Sequence, residues 1–492
     1  MTGEPRIDVL VIGAGGSGLA AAIEAAASGA SVCVLEKNAH IGGTTRLSVG
    51  SITATGTPHQ ARAGITDSPD SHATDMALIN SRRKSSDNDE LRQLLTQEMP
   101  VTFQWLLDLG LEFIGPFPEA PHTQPRMHCV LPTARAYIDR LERKARALDV
   151  RVLCQHRVDS LIFGEGRVIG AIALDDRGQA ISFLAEATIL ASGDFSGNAE
   201  MVAKYIGDGA ARARPINPSN TGDGHRMAQA LGGQVLNSDI ALLSLRFLPP
   251  ERAPLVQKLP PTRWMARLMR MGYERLPTGL VRPLLMAFIT SALQPVRAVY
   301  DAGAILVDDK GRRLDEGQIG APGVASTAWL ILDQRVVHQF SAWPNFVSTA
   351  PGVGYAYMQD YRRHRPDLWH GARSLDKLAE LIEVSATELK KSIAAFHMDE
   401  SSQRGGGITQ SPFVALGPLS TVLVFTDGGL RIDTSMRVID GTGLPIKGLY
   451  AVGATGQGGM MLDGHGHHIG WAFTSGRLGG INASAYSRSQ VK

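Results

Sequence analysis

Residues 463 to 470 read DGHGHHIG, which sets His465, His467 and His468 within four positions around a glycine turn. Imidazole can ligate a metal, carry a proton or line a cofactor site. A metal would need the rings to converge, yet they straddle a turn that leads into a helix, and no carboxylate-rich partner motif accompanies them. No metal is expected. Proton transfer suits imidazole, which titrates near about 6.5, better than a phenol, which titrates near about 10. His465 beside Gly466 is therefore the first candidate, with Tyr300, Tyr355 and Tyr357 as phenolic alternatives.

A site of this kind needs elements to hold it, and the N-terminus supplies a complete βαβ pattern. Asp8 to Ile12 is a short apolar run suited to a buried parallel strand, and it ends at Gly13-Ala14-Gly15-Gly16-Ser17-Gly18. An alanine-rich helix from Leu19 to Ser28 stops at Gly29, and Ala30 to Leu35 reads as a second strand, ending at Glu36-Lys37. Gly13 makes the tight turn, Gly15 and Gly16 with Ser17 let backbone approach a pyrophosphate, and Gly18 permits close helix packing. Glu36 is placed to accept from ribose hydroxyls.

The next segment, Ile41-Gly42-Gly43-Thr44-Thr45-Arg46-Leu47-Ser48-Val49-Gly50, adds a second glycine and hydroxyl cluster that offers further donors to a pyrophosphate and a flavin. With residues 464 to 476, GHGHHIGWAFTSG, it resembles the fumarate reductase and 3-ketosteroid dehydrogenase superfamily of FAD flavoproteins, over nearly the whole chain. The resemblance implies an α/β fold: a Rossmann-like FAD-binding domain of residues 1–240 and 415–492 with an inserted α+β capping domain, 241–414. It implies non-covalent FAD held by the two glycine clusters, by backbone near Val158 against the adenine, by Gly193 and Asp223, and by Gly453. The helix starting near His467, His468 and Ile469 would face the flavin pyrimidine edge. A Thr or Asp side chain of Thr221-Gly222-Asp223-Gly224 is expected to cap the helix that follows.

The sequence also departs from the pattern. The acid-catalyst arginine of fumarate reductases falls on Ala321, their substrate-binding arginine on Asp463 and their histidine on Phe425; the two active-site tyrosines of ketosteroid dehydrogenases fall on Ala321 and Leu462. A dicarboxylate would meet an acid and a phenyl ring, so it is not expected as substrate. What the resemblance leaves is the N–H of Gly466, which would polarise a ketone oxygen, with proton transfer assigned to His465, Tyr300 or Tyr355. His128 is a possible substrate contact and equally a surface or capping histidine.

The remaining composition bounds the setting. A net charge of +2 over 492 residues gives no bulk attraction for nucleic acid. Cys33, Cys129 and Cys154 show no paired spacing, which suits a reducing compartment, and neither a leader nor an apolar run of membrane-spanning length is evident, so cytoplasmic location is the expectation. Residues 258 to 297 interleave seven Lys or Arg with Trp264, Leu268, several Met and further apolar residues. That segment can lie on a membrane or form an ordinary part of the cap. The expectation is thus an FAD-dependent oxidoreductase acting on the CH–CH bond beside a carbonyl of an apolar cyclic ketone, with an external electron acceptor. Two alternatives stay open: a reductase of an activated C=C fed by an external donor, and a membrane-associated flavin-binding protein without turnover.

Overall fold

The six residues of Ile7–Ile12 are almost all apolar, and Val9, Leu10 and Val11 are fully buried, as a strand covered on both faces requires. The computed structural model describes residues 7–81, 87–251, 254–277, 282, 286, 289–290, 294–314, 327–350, 354–398 and 406–490. In it Ile7–Ile12 pairs in parallel with Val32–Leu35 on one side and with the second half of Ala180–Leu190 on the other. The sheet runs Arg437–Ile439, Pro445–Ala451, Ala180–Leu190, Ile7–Ile12, Val32–Leu35, Arg151–Leu153. The hairpin of Arg157–Gly164 and Arg167–Leu174 joins it through the first half of Ala180–Leu190.

Helix Gly16–Ala27 returns along this sheet, ends at Ser28 ahead of a positive-φ Gly29, and packs on the 24-residue C-terminal helix His467–Gln490. Helix Arg135–Ala147 turns Ala136, Ile138, Leu141 and Ala145 inward and its arginines outward. The expected βαβ unit is therefore present, with element ends shifted by at most three residues.

A second sheet of seven strands is organised on Phe413–Thr426, which pairs with Arg214–Pro215, Ala241–Phe247, Thr327–Leu332 and Trp369–Ala372. Strand alternation divides two cores. Leu306, Leu330 and Leu332 face one layer with Leu245, Phe247 and Tyr361, whereas Ile305, Val307 and Ile331 face the helices Leu375–Leu381 and Ala386–His397. Ser385 caps the second of these helices, its Oγ accepting from the N–H of Glu388. The closing strand begins at Phe413 and remains in the second sheet to Thr426, so this layer continues past the boundary expected at 414/415.

A small sheet of Ser51–Thr53, Glu112–Phe117 and Met127–Leu131 lies between the first layer and helix Arg263–Arg275. Ala266, Met269 and Tyr273 of that helix pack on Ile114, Phe117, Met127 and Leu131. Ala321 lies outside the described residues, as does part of the segment 258–297.

Candidate active site

A cavity of about 850 Å³ lies where the loops at the ends of the parallel strands meet the second sheet. One end is built by the first glycine turn. Gly18 has to be glycine because a side chain there would overlap the carbonyl oxygen of Gly13, while a side chain at Gly15 would project into open space. Helix Gly16–Ala27 receives no side-chain cap from its N-cap residue, Gly15, and its first residues line this end of the cavity. The Gly16 N–H donates to Thr45 Oγ1 at 3.2 Å, tying the two glycine clusters together. Glu36 is buried, accepting from the Ala14 N–H at 2.9 Å through one oxygen and from Asn38 through the other.

Lys37 donates to Thr221 Oγ1 at 2.6 Å and to Asp223 Oδ2 at 2.7 Å. This replaces the capping expected of Thr221 or Asp223. Gly222 is the N-cap of helix Asp223–Gln229, no side chain caps it, and the Gly224 N–H donates to Ser192 Oγ instead. The lysine recruits the oxygens that would otherwise cap.

At the other end, Gly466 holds φ +86°, and a Cβ there would lie 2.5 Å from the Thr53 nitrogen, so the turn admits glycine alone. Thr53 Oγ1 donates to the His465 carbonyl at 2.5 Å. His465 Nδ1 pairs with Glu119 Oε1, and the ring keeps 49% of its side-chain surface exposed. The bond from Glu119 raises the His465 pKa above its ordinary value. Burial alone would raise the Glu119 carboxyl, but its bonds with His465 bring it below the usual range. The pair places the imidazole against a carboxylate at the cavity wall, an arrangement that favours the charged form of the ring.

Across from it, the strand Ala241–Phe247 buries Leu245 and Phe247 and turns Ser244 and Arg246 to the cavity. Arg246 Nε donates to Ser244 Oγ at 3.3 Å, and Ser244 Oγ donates to Gln294 Oε1 at 2.7 Å. Among the described residues no carboxylate lies within ion-pair distance of Arg246, a half-buried guanidinium. Phe425 packs on His468 with ring centroids 4.1 Å apart, and both line the same end with Asp463.

His467 takes a different course. It is fully buried, with Nδ1 2.6 Å from the Asp463 carbonyl oxygen and Nε2 3.2 Å from His72 Nε2. His122 completes this stack, and Arg126 beside it is paired with Asp67 and Asp75. Burial, then the neighbouring His122, lowers the His467 pKa to about 3. Among the described residues no group of three or more His, Cys, Asp or Glu could hold a metal ion.

Of the cofactor-binding candidates, Gly13, Gly15, Gly16, Ser17, Glu36, Lys37, Gly43, Thr44, Thr45, Ser48, Gly50, Val158, Gly193, Asp223, His468 and Ile469 line the cavity. Gly18, Gly42 and Gly453 stand behind the wall: the Gly453 N–H donates to Ser475 Oγ, and the Gly42 N–H to the Ala14 carbonyl. His467 belongs to the buried stack. Of the catalytic candidates, His465 and Gly466 line the cavity, whereas Tyr300 packs against the second-sheet core and Tyr355 against Trp343 and Phe346. Neither phenol lines the cavity. His128 is buried between Thr57 and the Arg126 carbonyl, away from the cavity, which excludes a substrate contact. Leu462 is buried.

Sequence reasoning missed Glu119, Arg246 and Gln294, as well as Asn217 and Asn220, whose amides both donate to Thr44 Oγ1. For Arg246 a signal existed: in Ser244-Leu-Arg-Phe247 the polar residues alternate with buried apolar ones.

Residues 8–258 and 266–463 match the FAD binding domain family. The chain is 26% identical to a vinyl phenol reductase of Lactiplantibacillus plantarum over 98% of this chain and 97% of that one. It is also 26% identical to a urocanate reductase of Eggerthella lenta, over 97% of this chain and 75% of that one. The fold is similar to an open flavocytochrome c3 fumarate reductase, with a TM-score of 0.75 and 21% identity over 99% and 79% of the two chains. It is also similar to the 3-ketosteroid-Δ4-(5α)-dehydrogenase of Rhodococcus jostii RHA1, with a TM-score of 0.64 and 23% identity over 98% of each.

Proposed function

We propose, for a chain that belongs to the FAD binding domain family, that it reduces a C=C bond conjugated to a carbonyl or carboxylate group. The protein is an FAD-dependent oxidoreductase acting on CH–CH groups; the proposal concerns the direction and the residues. Ketone desaturation, the first expectation from sequence, now ranks second, because the sequence relatives described above are named as reductases and the ketosteroid dehydrogenase is similar in fold alone.

The donors at one end of the cavity fit the cofactor's charges. The first turn of the helix that starts at Gly16, with the open approach at Gly15, suits a pyrophosphate, Glu36 suits a ribose, and Val158 suits an adenine. Ser48 to Gly50 and Ile469 would hold the flavin. FAD, when bound and reduced, supplies a hydride.

The observation that carries the direction is the His465–Glu119 pair. Reduction needs an acid that delivers a proton to the α-carbon, and desaturation needs a base that removes one. Glu119, bonded to His465, favours the protonated ring, the state that reduction requires. Arg246 would take the carbonyl or carboxylate oxygen, where negative charge builds as the β-carbon accepts hydride, and the Gly466 turn would add a backbone N–H. Asp463 and Phe425, which stand where the resemblance aligns the substrate-binding arginine and histidine of fumarate reductases, offer nothing to pair a second carboxylate, so a substrate with one anionic or carbonyl group is the better fit. The test is steady-state reduction of conjugated enones and enoic acids by wild type and His465→Asn. We expect kcat to fall by about 10²- to 10⁴-fold with FAD content unchanged; unchanged turnover would remove His465 from the chemistry.

A further inference from the structure

The helix Arg263–Arg275 carries two apolar faces, and the small sheet covers one of them. On the other side Trp264, Leu268 and Met271, at helical spacings of four and three, remain 61%, 52% and 44% exposed, with exposed Leu276 just beyond the helix. Beside this ridge is a hollow of about 420 Å³ lined by Arg140, Arg143, Thr262, Arg263, Trp264 and Arg267. Its guanidinium groups outnumber the acids near them. Asp139 is shared by Arg140 and Arg143, and Glu112 by Arg267 and Arg270, while Arg263 has no carboxylate partner among the described residues.

Two further donors point to an anion. Thr262 is the N-cap of the helix, yet its side chain makes no capping bond, and its buried Oγ1 has no hydrogen-bond partner. The first N–H groups of the helix are likewise uncapped. A hollow with several guanidiniums, a hydroxyl and a helix N-terminus is built for a phosphate.

We infer that this face docks on an anionic phospholipid bilayer, with a lipid phosphate in the arginine hollow and the Trp264–Leu268–Met271 ridge lying in the interface. The arrangement decides between occupants. An acidic protein would match the arginines but leave the apolar ridge uncovered, and a soluble phosphate would leave it exposed to water. A bilayer surface covers both at the depths they occupy, with guanidinium groups at the headgroups and Trp264 at the polar–apolar boundary. Among the described residues no helix is long and apolar enough to cross a membrane, so the attachment is to the surface.

The test is vesicle flotation of the full-length flavin-loaded protein with phosphatidylcholine alone and with added phosphatidylglycerol. We expect flotation only with the anionic vesicles, weakened as salt rises, and a blue shift of tryptophan emission that Trp264→Phe removes. Leu268→Glu with Met271→Glu, and separately Arg143→Ala with Arg263→Ala, should each lower the partition coefficient by about tenfold or more, at unchanged flavin content and melting temperature. Three results would overturn the inference: no flotation at low salt, full displacement from vesicles by soluble glycerol phosphate, or self-association that the Leu268→Glu variant abolishes.

Discussion

At His465 the sign of a pKa shift becomes a direction of catalysis. Glu119 raises the imidazole pKa, so the acid form persists to higher pH than in a free imidazole and is lost as pH rises through the raised value. The pH profile of kcat for alkene reduction should therefore have a basic limb, and Glu119→Gln should move that limb to lower pH, which stopped-flow reduction across a pH series would detect. A limb that stays in place would separate Glu119 from the acid. Arg246 is the proposed binding group for the substrate oxygen. Arg246→Ala should raise KM by about 10- to 100-fold, the range of a charged hydrogen bond of roughly 1.5–3 kcal/mol, with Arg246→Lys recovering part of it; an unchanged KM in both variants would place the substrate oxygen elsewhere.

Among the elements, the first βαβ unit was the most legible, because its strand is apolar at every position but Asp8 and its glycines answer a steric demand. Gly18→Ala should show that demand directly. Its methyl would overlap the Gly13 carbonyl, and the turn can relax only by moving away from the pyrophosphate, so a colourless or weakly flavinated protein is expected in the absorbance spectrum. Full flavin occupancy would contradict the packing argument. The second sheet was less legible, since its organising strand, Phe413–Thr426, makes pairings remote in sequence. Glu119 was invisible for a related reason: it sits in a loop, and only tertiary contact brings it to His465, 346 residues away. The histidine run was half legible. Residue types alone could not tell that the turn sends His465 to the cavity and His467 into a buried stack with His72 and His122.

For the molecule as a whole, its buried histidines set an acid limit. His467 and His128 are held neutral, each with a pKa lowered to about 3 chiefly by burial, and His59 is lowered to about 4. Their folded values lie below the unfolded value of about 6.5, so they contribute stability above that value and lose it as pH falls toward 4 and 3. Melting temperature should accordingly fall steadily from pH 6.5 to pH 4 in a calorimetric series, and a flat profile over that window would contradict the neutral assignment. The central claim, reduction of an activated alkene by this flavoprotein, is tested most directly by anaerobic stopped flow. The protein is first reduced chemically and then mixed with conjugated enones and α,β-unsaturated acids, while the oxidised protein is mixed with the matching saturated compounds. The account predicts rapid return of the oxidised flavin spectrum with an unsaturated compound and slow or no bleaching with its saturated partner. Fast bleaching by the saturated ketone, with a reduced flavin indifferent to every alkene, would contradict it.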